Sequence, residues 1–246
     1  MPTVSVIIPA LNEAGCIGDA IRSARDAGAD EVVVADGGSE DGTAEAARPL
    51  ADTVVVSPRG RAAQMNAGAR VSAGEVLLFL HADTLLPPGA IGAVRKAVTE
   101  DGAGGGAFAV RLGVSPEASP ARKALLRLTA RMINARARFL RAYTGDQGIF
   151  VAREVFEETG GYPEIPLMED VEMSRRLVRR GPTALLPVRI TTSARRWESR
   201  GPVRTILLMW GLRVAHRLGM SPARCARIYL SGPPATPRSE GAASGH

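Results

Sequence analysis

The chain has 246 residues, 45% hydrophobic and 23% charged, the composition of an ordinary globular protein long enough to bury one large core. Two cysteines, Cys16 and Cys225, are too few for a disulfide framework and too far apart for a metal knuckle, and both read as plain buried thiols. The net charge of +6 hides an asymmetry: residues 1–110 carry 8 Lys and Arg against 14 Asp and Glu, and residues 111–246 carry 23 against 11. A basic half suits nucleic acid, an anionic membrane surface or a phosphorylated substrate, and charge alone does not separate the three.

Met1 to Pro9 has no basic, signal-like opening and enters an apolar strand at once, so a cytoplasmic protein is expected. The strand, Val4 to Ile8, ends in Pro9-Ala10-Leu11-Asn12-Glu13, and Ile17, Ala20, Ile21 and Ala24 follow at helical spacing. This junction lacks the glycines that let a dinucleotide pyrophosphate approach the backbone, which argues against NAD or FAD. A second strand, Glu31 to Ala35, runs into Asp36-Gly37-Gly38-Ser39-Glu40-Asp41-Gly42-Thr43. That turn either cradles a nucleoside or is a plain strand-to-helix turn in which Asp41 caps the helix from Thr43 to Arg48.

After a third strand, Val54 to Val56, Arg59 and Arg61 stand at the entry of a small helix that ends near Gly74. Cations oppose the macrodipole there, so either a nearby anion such as a ligand phosphate explains them or they are solvated. Val76 to Leu80 is too short for a buried helix and suits a strand covered on both faces, as in parallel sheets. His81 and Asp83 follow at its carboxyl end, where open α/β sheets bind ligands, and a helix is expected from about Pro88 to Glu100.

Gly102 to Gly106 reads as a turn into a strand from Ala107 to Leu112. From Pro120 to Tyr143, Leu125, Leu128, Met132, Phe139 and Tyr143 form an apolar stripe among Arg122, Lys123, Arg127, Arg131, Arg138 and Arg141. Such a helix either lies on an anionic membrane or shows a solvated face over the core. Tyr143-Thr144-Gly145-Asp146-Gln147-Gly148 leads to a strand from Ile149 to Ala152 and a short helix from Arg153. Glu169-Asp170, ending a long loop at the start of a helix that runs to Arg180, suggests an active site. Two short strands, Ala184 to Pro187 and Ile190 to Ser193, precede Arg195-Arg196-Trp197, where Trp197 is a stacking platform or a packing contact. Helices from Val203 to Leu218 and Pro222 to Leu230 follow, and residues 231–246, rich in Gly, Pro, Ala and Ser, are expected to be disordered. The apolar run Ile206 to Leu212 falls well short of the roughly 20 residues of a membrane helix.

Taken in order, the strand-end motifs Val-Ile-Ile-Pro-Ala-Leu-Asn-Glu (6–13), Asp-Gly-Gly-Ser-Glu-Asp-Gly-Thr (36–43), Arg-Gly-Arg-Ala-Ala-Gln-Met-Asn-Ala-Gly (59–68), His-Ala-Asp (81–83) and Glu-Asp (169–170) resemble the inverting glycosyltransferases of family 2. The resemblance runs from about Val4 to Trp197. It implies the GT-A nucleotide-diphospho-sugar transferase fold, α/β with a mostly parallel central sheet and helices on both faces. One domain over 1–230 is then expected, with a nucleotide-binding half (1–112), an acceptor half (113–230) and the tail.

The resemblance also implies site residues. Glu13 and Asp36 contact the nucleoside, with Pro9, Arg59, Arg61, Asn66, His81 and Ala82 completing the nucleotide site. Asp83 holds Mg²⁺ or Mn²⁺, and Asp170, beside Glu169, is the general base. Asp146, Gln147, Arg195, Arg196 and Trp197 serve the acceptor and leaving group. Partners follow: a UDP- or GDP-linked sugar donor and a hydroxyl acceptor that is anionic or lipid-linked, with peripheral membrane contact and homo-oligomers compatible and nucleic acid not expected.

Two departures stand out. The family usually writes Asp-x-Asp where this chain has His81-Ala82-Asp83, and often Asp-Asp-Gly-Ser where it has Asp36-Gly37-Gly38-Ser39. His81 is a neutral partner of metal or phosphate, or a packed rim histidine. The compact Leu-His-Ala-Asp form looks like the radical-SAM/selenodomain-associated transferase 2 subgroup. The rival readings are a nucleotidyltransferase of related architecture, which would need a glycine-rich basic loop after the first strand, and a basic nucleic-acid or membrane-surface binder, which leaves the acidic strand ends without a purpose.

Overall fold

The structure, a computed structural model, describes residues 1–115, 117–195 and 202–231. Its centre is one eight-stranded sheet in the order β3-β2-β1-β4-β7-β6-β8-β5. The four strands of the first half, β1 (Val4–Ala10), β2 (Glu31–Asp36), β3 (Thr53–Val56) and β4 (Val76–Phe79), pair in parallel. Beyond β4 the sheet is mixed. β7 (Ile149–Ala152) is antiparallel to β4 and to β6 (Gly105–Gly113), β8 (Thr183–Ser193) is parallel to β6, and the two-residue β5 (Thr84–Leu85) is antiparallel to β8.

Strand alternation places apolar side chains on both faces of the parallel half. Val4, Val6 and Ile8 of β1 face α1 (Ile17–Asp26) and α4 (Ala90–Thr99), whereas Ile7 faces α3 (Arg61–Val71) and the layer of α6 (Arg153–Glu158) and α7 (Glu169–Arg180). The four residues expected to form the inner stripe of α1 are all buried. α2 (Thr43–Ala47) is a short turn of helix packed against α1.

Three expectations need correction. Gly105 and Gly106 belong to β6 and not to a turn, because β6 is squeezed between β7 and β8: a Cβ on Gly106 would stand 2.0 Å from the Ala184 carbonyl oxygen. The two short strands around Pro187 are one strand, β8, whose register shifts so that Phe108 pairs with Leu186 but Ala109 with Arg189. Pro187 and Val188 form the resulting bulge, where a residue without an N–H costs no ladder bond.

The third correction concerns α5 (Pro120–Leu140), which ends where Arg141 turns left-handed, at φ 47°. Its buried face is Leu126, Thr129, Ala130, Ile133 and Ala137, not the larger stripe: Leu128 and Phe139 are exposed, and Tyr143 is buried beyond the helix end. The docking is decided by a polar residue. Asn134 donates to the Val110 carbonyl at 3.0 Å and accepts from its N–H at 2.8 Å, extending the edge of β6 as another strand would. α8 (Pro202–Arg217) packs on α5 and α9 (Pro222–Leu230) packs on α8. No helix among the described residues is long and apolar enough to cross a membrane.

Candidate functional site

The site lies at the carboxyl ends of β1, β2 and β4 and runs into a cavity of about 150 Å³ roofed by α5, α7, α8 and α9. On the β1–β2 side, two loops hold each other. The Asn12 N–H donates to Ser39 Oγ (2.9 Å), Asn12 Oδ1 accepts from the Glu40 N–H (3.0 Å), the Glu13 N–H donates to Thr43 Oγ1 (2.8 Å), and the Ala14 N–H donates to Asp41 (3.0 Å). Asp41 also accepts from the Thr43 N–H, so it ties the loops together, whereas the N-cap of α2 is Gly42, without a side-chain cap bond. Asp36 is buried and accepts from Gly38 N–H (3.0 Å), Ser39 N–H (2.9 Å) and Ser39 Oγ (2.5 Å), bonds that shape its own turn.

Pro9 fits this central strand without loss. It has the parity of Ile7, whose carbonyl accepts from the Leu80 N–H, so its missing N–H points to the side where β4 has already ended. Ala82 is buried in the core, and its neighbour Asp83 reaches the cavity. The β5–β8 pairing brings Arg195 across to this rim: Ser193 N–H donates to the Asp83 carbonyl at 3.1 Å, and the Thr84 and Thr192 hydroxyls are 2.9 Å apart. The Arg195 guanidinium then sits 2.7 Å from the Glu13 carboxylate and 3.5 Å from that of Asp83. Cys16, expected to be a bland buried thiol like Cys225, is half-buried here and donates to Glu13 at 3.0 Å. Burial, then the bond to Glu13, pushes its thiol pKa up to about 12.

On the opposite wall, the loop from Gly161 is fastened by Tyr162, which meets Phe79 edge-on at 4.9 Å and packs near Phe156. Asn66 belongs to this fastening. Its amide donates to the Tyr162 carbonyl (2.8 Å) and accepts from the Tyr162 N–H (2.9 Å), so it supports the loop and does not line the main cavity. The loop delivers Met168, left-handed at φ 74°, and Glu169-Asp170 in the first turn of α7.

The two acids then diverge. Glu169 is 3% exposed and pairs with Arg61 at 2.9 Å, so the anion that explains an arginine at the start of α3 is a carboxylate of this chain. Burial, then the neighbouring Asp170 charge, raises the Glu169 pKa despite Arg61. Arg59 is exposed and only 3.8 Å from the exposed Glu40, which fits the solvated alternative. Asp170 faces the cavity, accepting from Gly145 N–H (2.9 Å) and from Val171 N–H (2.7 Å).

Gly145 links Asp170 to His81. A Cβ at Gly145 would stand 2.5 Å from His81 Nε2, so the imidazole packs against the very residue whose N–H orients the carboxylate. Asp146 lines the cavity, bonded to the Thr144 hydroxyl. Gln147 is fully buried, donating to the Phe108 carbonyl at 3.2 Å, and serves the frame. Arg196 and Trp197 lie outside the described residues, as does the tail over 232–246.

Two cavity residues escape sequence reading, Arg136 of α5 and Arg213 of α8. Their only signal is that α5, α8 and α9 carry many arginines and no Asp or Glu, which does not tell which arginine turns inward.

No group of three or more His, Cys, Asp and Glu side chains able to hold a metal ion occurs among the described residues. Asp83, a hard oxygen donor on the cavity wall, fits the other arrangement, in which a divalent cation takes one or two carboxylates and completes its shell with substrate phosphates and water.

Among solved structures, the fold is similar to a mannosyltransferase from Pyrobaculum calidifontis, solved with GDP-Man and Mn²⁺, at TM-score 0.61 and 24% identity over 94% of this chain and 71% of that one. It is also similar to glucosyl-3-phosphoglycerate synthase from Mycobacterium tuberculosis (TM-score 0.56, 20% identity, 76% and 71%) and to TarS of S. aureus over its residues 1–349 (0.57, 16%, 92% and 69%). At these identities the likeness concerns the fold. No curated protein matches the sequence. The sequence model of glycosyl transferase family 2 matches residues 5–160, from β1 through α6, and with them the acidic strand ends of the rim. That match spans well over half of the chain and contains Glu13, Asp36 and Asp83, and the chain therefore belongs to glycosyl transferase family 2 and is a glycosyltransferase.

Proposed function

We propose that the enzyme transfers a sugar, with inversion, from a UDP- or GDP-linked donor to a hydroxyl acceptor. The observation that carries this reading is that Asp83 and Asp170 line one cavity, with Asp83 tied through Arg195 to the Glu13 loop. The GDP-Man, UDP, Mn²⁺ and Mg²⁺ held by the structural neighbours support the class of donor and of ion. Residues 1–112 then serve as the nucleotide half and 113–230 as the acceptor half.

In this reading the β1 and β2 ends receive the nucleoside, with Glu13 and Asp36 as hydrogen-bond acceptors. Asp83 holds the Mg²⁺ or Mn²⁺, which when bound offsets the charge of the donor diphosphate. Arg195, poised between Glu13 and Asp83, neutralises the diphosphate as it leaves. Asp170 takes the proton from the acceptor hydroxyl while that oxygen bonds the anomeric carbon. The bond from that carbon to the phosphate oxygen breaks, and its electron pair departs with the nucleoside diphosphate. Glu169, paired to Arg61 on the wall of the same cavity, stands beside the base. His81 acts as packing for Gly145 in place of a first carboxylate.

We place the enzyme in the cytoplasm, at the inner face of a membrane. The support is that Leu128 and Phe139 of α5 and Leu207, Trp210 and Val214 of α8 are exposed on helices that contain arginines and no acids. Resemblance to the radical-SAM/selenodomain-associated subgroup stays within this proposal.

The decisive experiment is a donor screen by thermal shift with and without Mn²⁺, followed by turnover of Asp170→Asn. Loss of about 10²–10⁴-fold in turnover with nucleotide affinity retained is expected for removal of a general base. Equal turnover by this variant would remove Asp170 from the role.

A further inference from the structure

Arg136 and Arg213 carry charges that no described carboxylate balances at ion-pair distance. Arg136 donates through Nε to the Ala142 carbonyl (3.2 Å) and through Nη2 to Thr144 Oγ1 (2.7 Å) and Gln147 Oε1 (3.1 Å), all neutral acceptors. These bonds fix the plane of its guanidinium. Arg213 Nε is buried and has no hydrogen-bond partner among the described residues. Both residues line the cavity that Asp170 faces, and Ile206, Met209 and Trp210 of α8 add an apolar wall beside them.

Two cations converging on a partly buried cavity are costly unless an anion joins them. The cost is visible on Arg136, whose pKa is depressed to about 10 by burial and then by the charge of Arg213. A guanidinium matches the planar or forked oxygens of carboxylates and phosphates, with two parallel bonds available per group. We propose that Arg136 and Arg213 form a seat for an oxyanion of the acceptor, so that the enzyme glycosylates a hydroxyl compound bearing a phosphate or carboxylate.

The seat belongs to the acceptor and not to the donor diphosphate, for a geometric reason. Arg136 bonds Thr144, the residue before the Gly145 whose N–H holds Asp170, whereas Arg195 pairs with Glu13 and Asp83. The cavity therefore has two cationic ends, one on the nucleotide rim and one beside the base. An acceptor anchored at the second end presents its hydroxyl to Asp170. This assignment of the anion to the acceptor rests on the reading of Asp170 as the base.

The test measures binding, so it is separate from the fate of Asp170 in turnover assays. Wild type, saturated with nucleoside diphosphate and Mn²⁺, is titrated at constant ionic strength with orthophosphate, acetate, glycerol 3-phosphate and, as the uncharged control, glycerol. At least one of the three anions should bind and glycerol should not. Arg213→Gln should weaken the anion about tenfold or more, as expected for a lost charge-assisted pair, with Arg213→Lys intermediate and nucleotide affinity within twofold of wild type. Among the described residues Arg213 Nε has no hydrogen-bond partner, so the substitution breaks no bond at that atom, which keeps the test independent of any folding defect in Arg136→Gln. Sedimentation with phosphatidylglycerol against phosphatidylcholine vesicles then separates the sources. An Arg213-dependent preference for phosphatidylglycerol assigns the seat to a lipid headgroup, and anion binding without it assigns the seat to a free acceptor. Failure of all three anions to bind, equal binding by Arg213→Gln, or a parallel loss of nucleotide affinity overturns the proposal.

Discussion

The acidic rim and the basic roof treat their charges in opposite ways. In the acidic first half, carboxylates are consumed by the chain itself: on the rim Asp36 and Asp41 bind loop N–H groups, and at the opposite, amino ends of the strands Asp30 accepts from the Val4 N–H and Arg95, and Asp52 accepts from the Val32 N–H and pairs with Arg25. Under the roof, Arg136 and Arg213 have no carboxylate within 4.0 Å among the described residues. The acids of the first half thus serve mainly to set backbone, and the inward arginines of the second half are left for something that is not part of the chain. Among the described residues three pairs cross between the halves, Arg61 with Glu169 and Arg195 with both Glu13 and Asp83, and they tie the cavity walls together.

Asp83 stands on the cavity wall, and among the described residues it shares Arg195 with Glu13, at 3.5 Å. Asp83→Asn should therefore remove the Mn²⁺-dependent part of nucleotide affinity by at least the roughly 10–100-fold that losing an outer-shell partner costs. Nucleotide titrations with and without Mn²⁺ measure it, and an unchanged metal effect would place Asp83 with the structural acids. A smaller effect comes from the roof side. Gly145→Ala should cost about 1–3 kcal/mol by driving a methyl into His81, measured by denaturant unfolding, and His81→Ala in the same chain should recover part of that loss. Additive losses in the double variant would show that the contact does not set the position of Gly145.

The smallest effect concerns acid. The pKa values of Asp30 and Asp52 are lowered from about 3.8: partial burial works the other way but is outweighed by their backbone and arginine bonds. Because the folded values lie below the unfolded ones, their contribution is present above that ordinary value and fades as pH falls through the folded values. Melting temperature should decline below about pH 4, and the Asp30→Asn/Asp52→Asn double variant should show a shallower decline. An identical profile would mean that these exposed-edge acids do not stabilise the sheet.

Much of the parallel half was legible in the sequence because its signals are local. Five-residue apolar runs, the 3.6-residue stripe of α1 and glycine-rich junctions each depend on neighbours in the chain, and the acidic strand ends follow them at fixed spacing. Within this half, the bonds of Asn66 to Tyr162, 96 residues on, were not legible in its motif position. The second half depends on contacts of that kind. The inward face of α5 was chosen by Asn134 reaching Val110 and by small residues fitting β6, so the larger apolar side chains turned outward against their sequence pattern.

The amino-acid sequence by itself determined the alternation of strands and helices, the rim carboxylates and the family, since period, turn chemistry and motif order are properties of short stretches. Only the tertiary structure decided that Glu169 pairs with Arg61 while Asp170 accepts from Gly145, that His81 packs on Gly145, and that Arg136 and Arg213 line one cavity. Those outcomes follow from which side chains remain uncompensated once distant elements pack, and burial and charge balance are set by the whole fold.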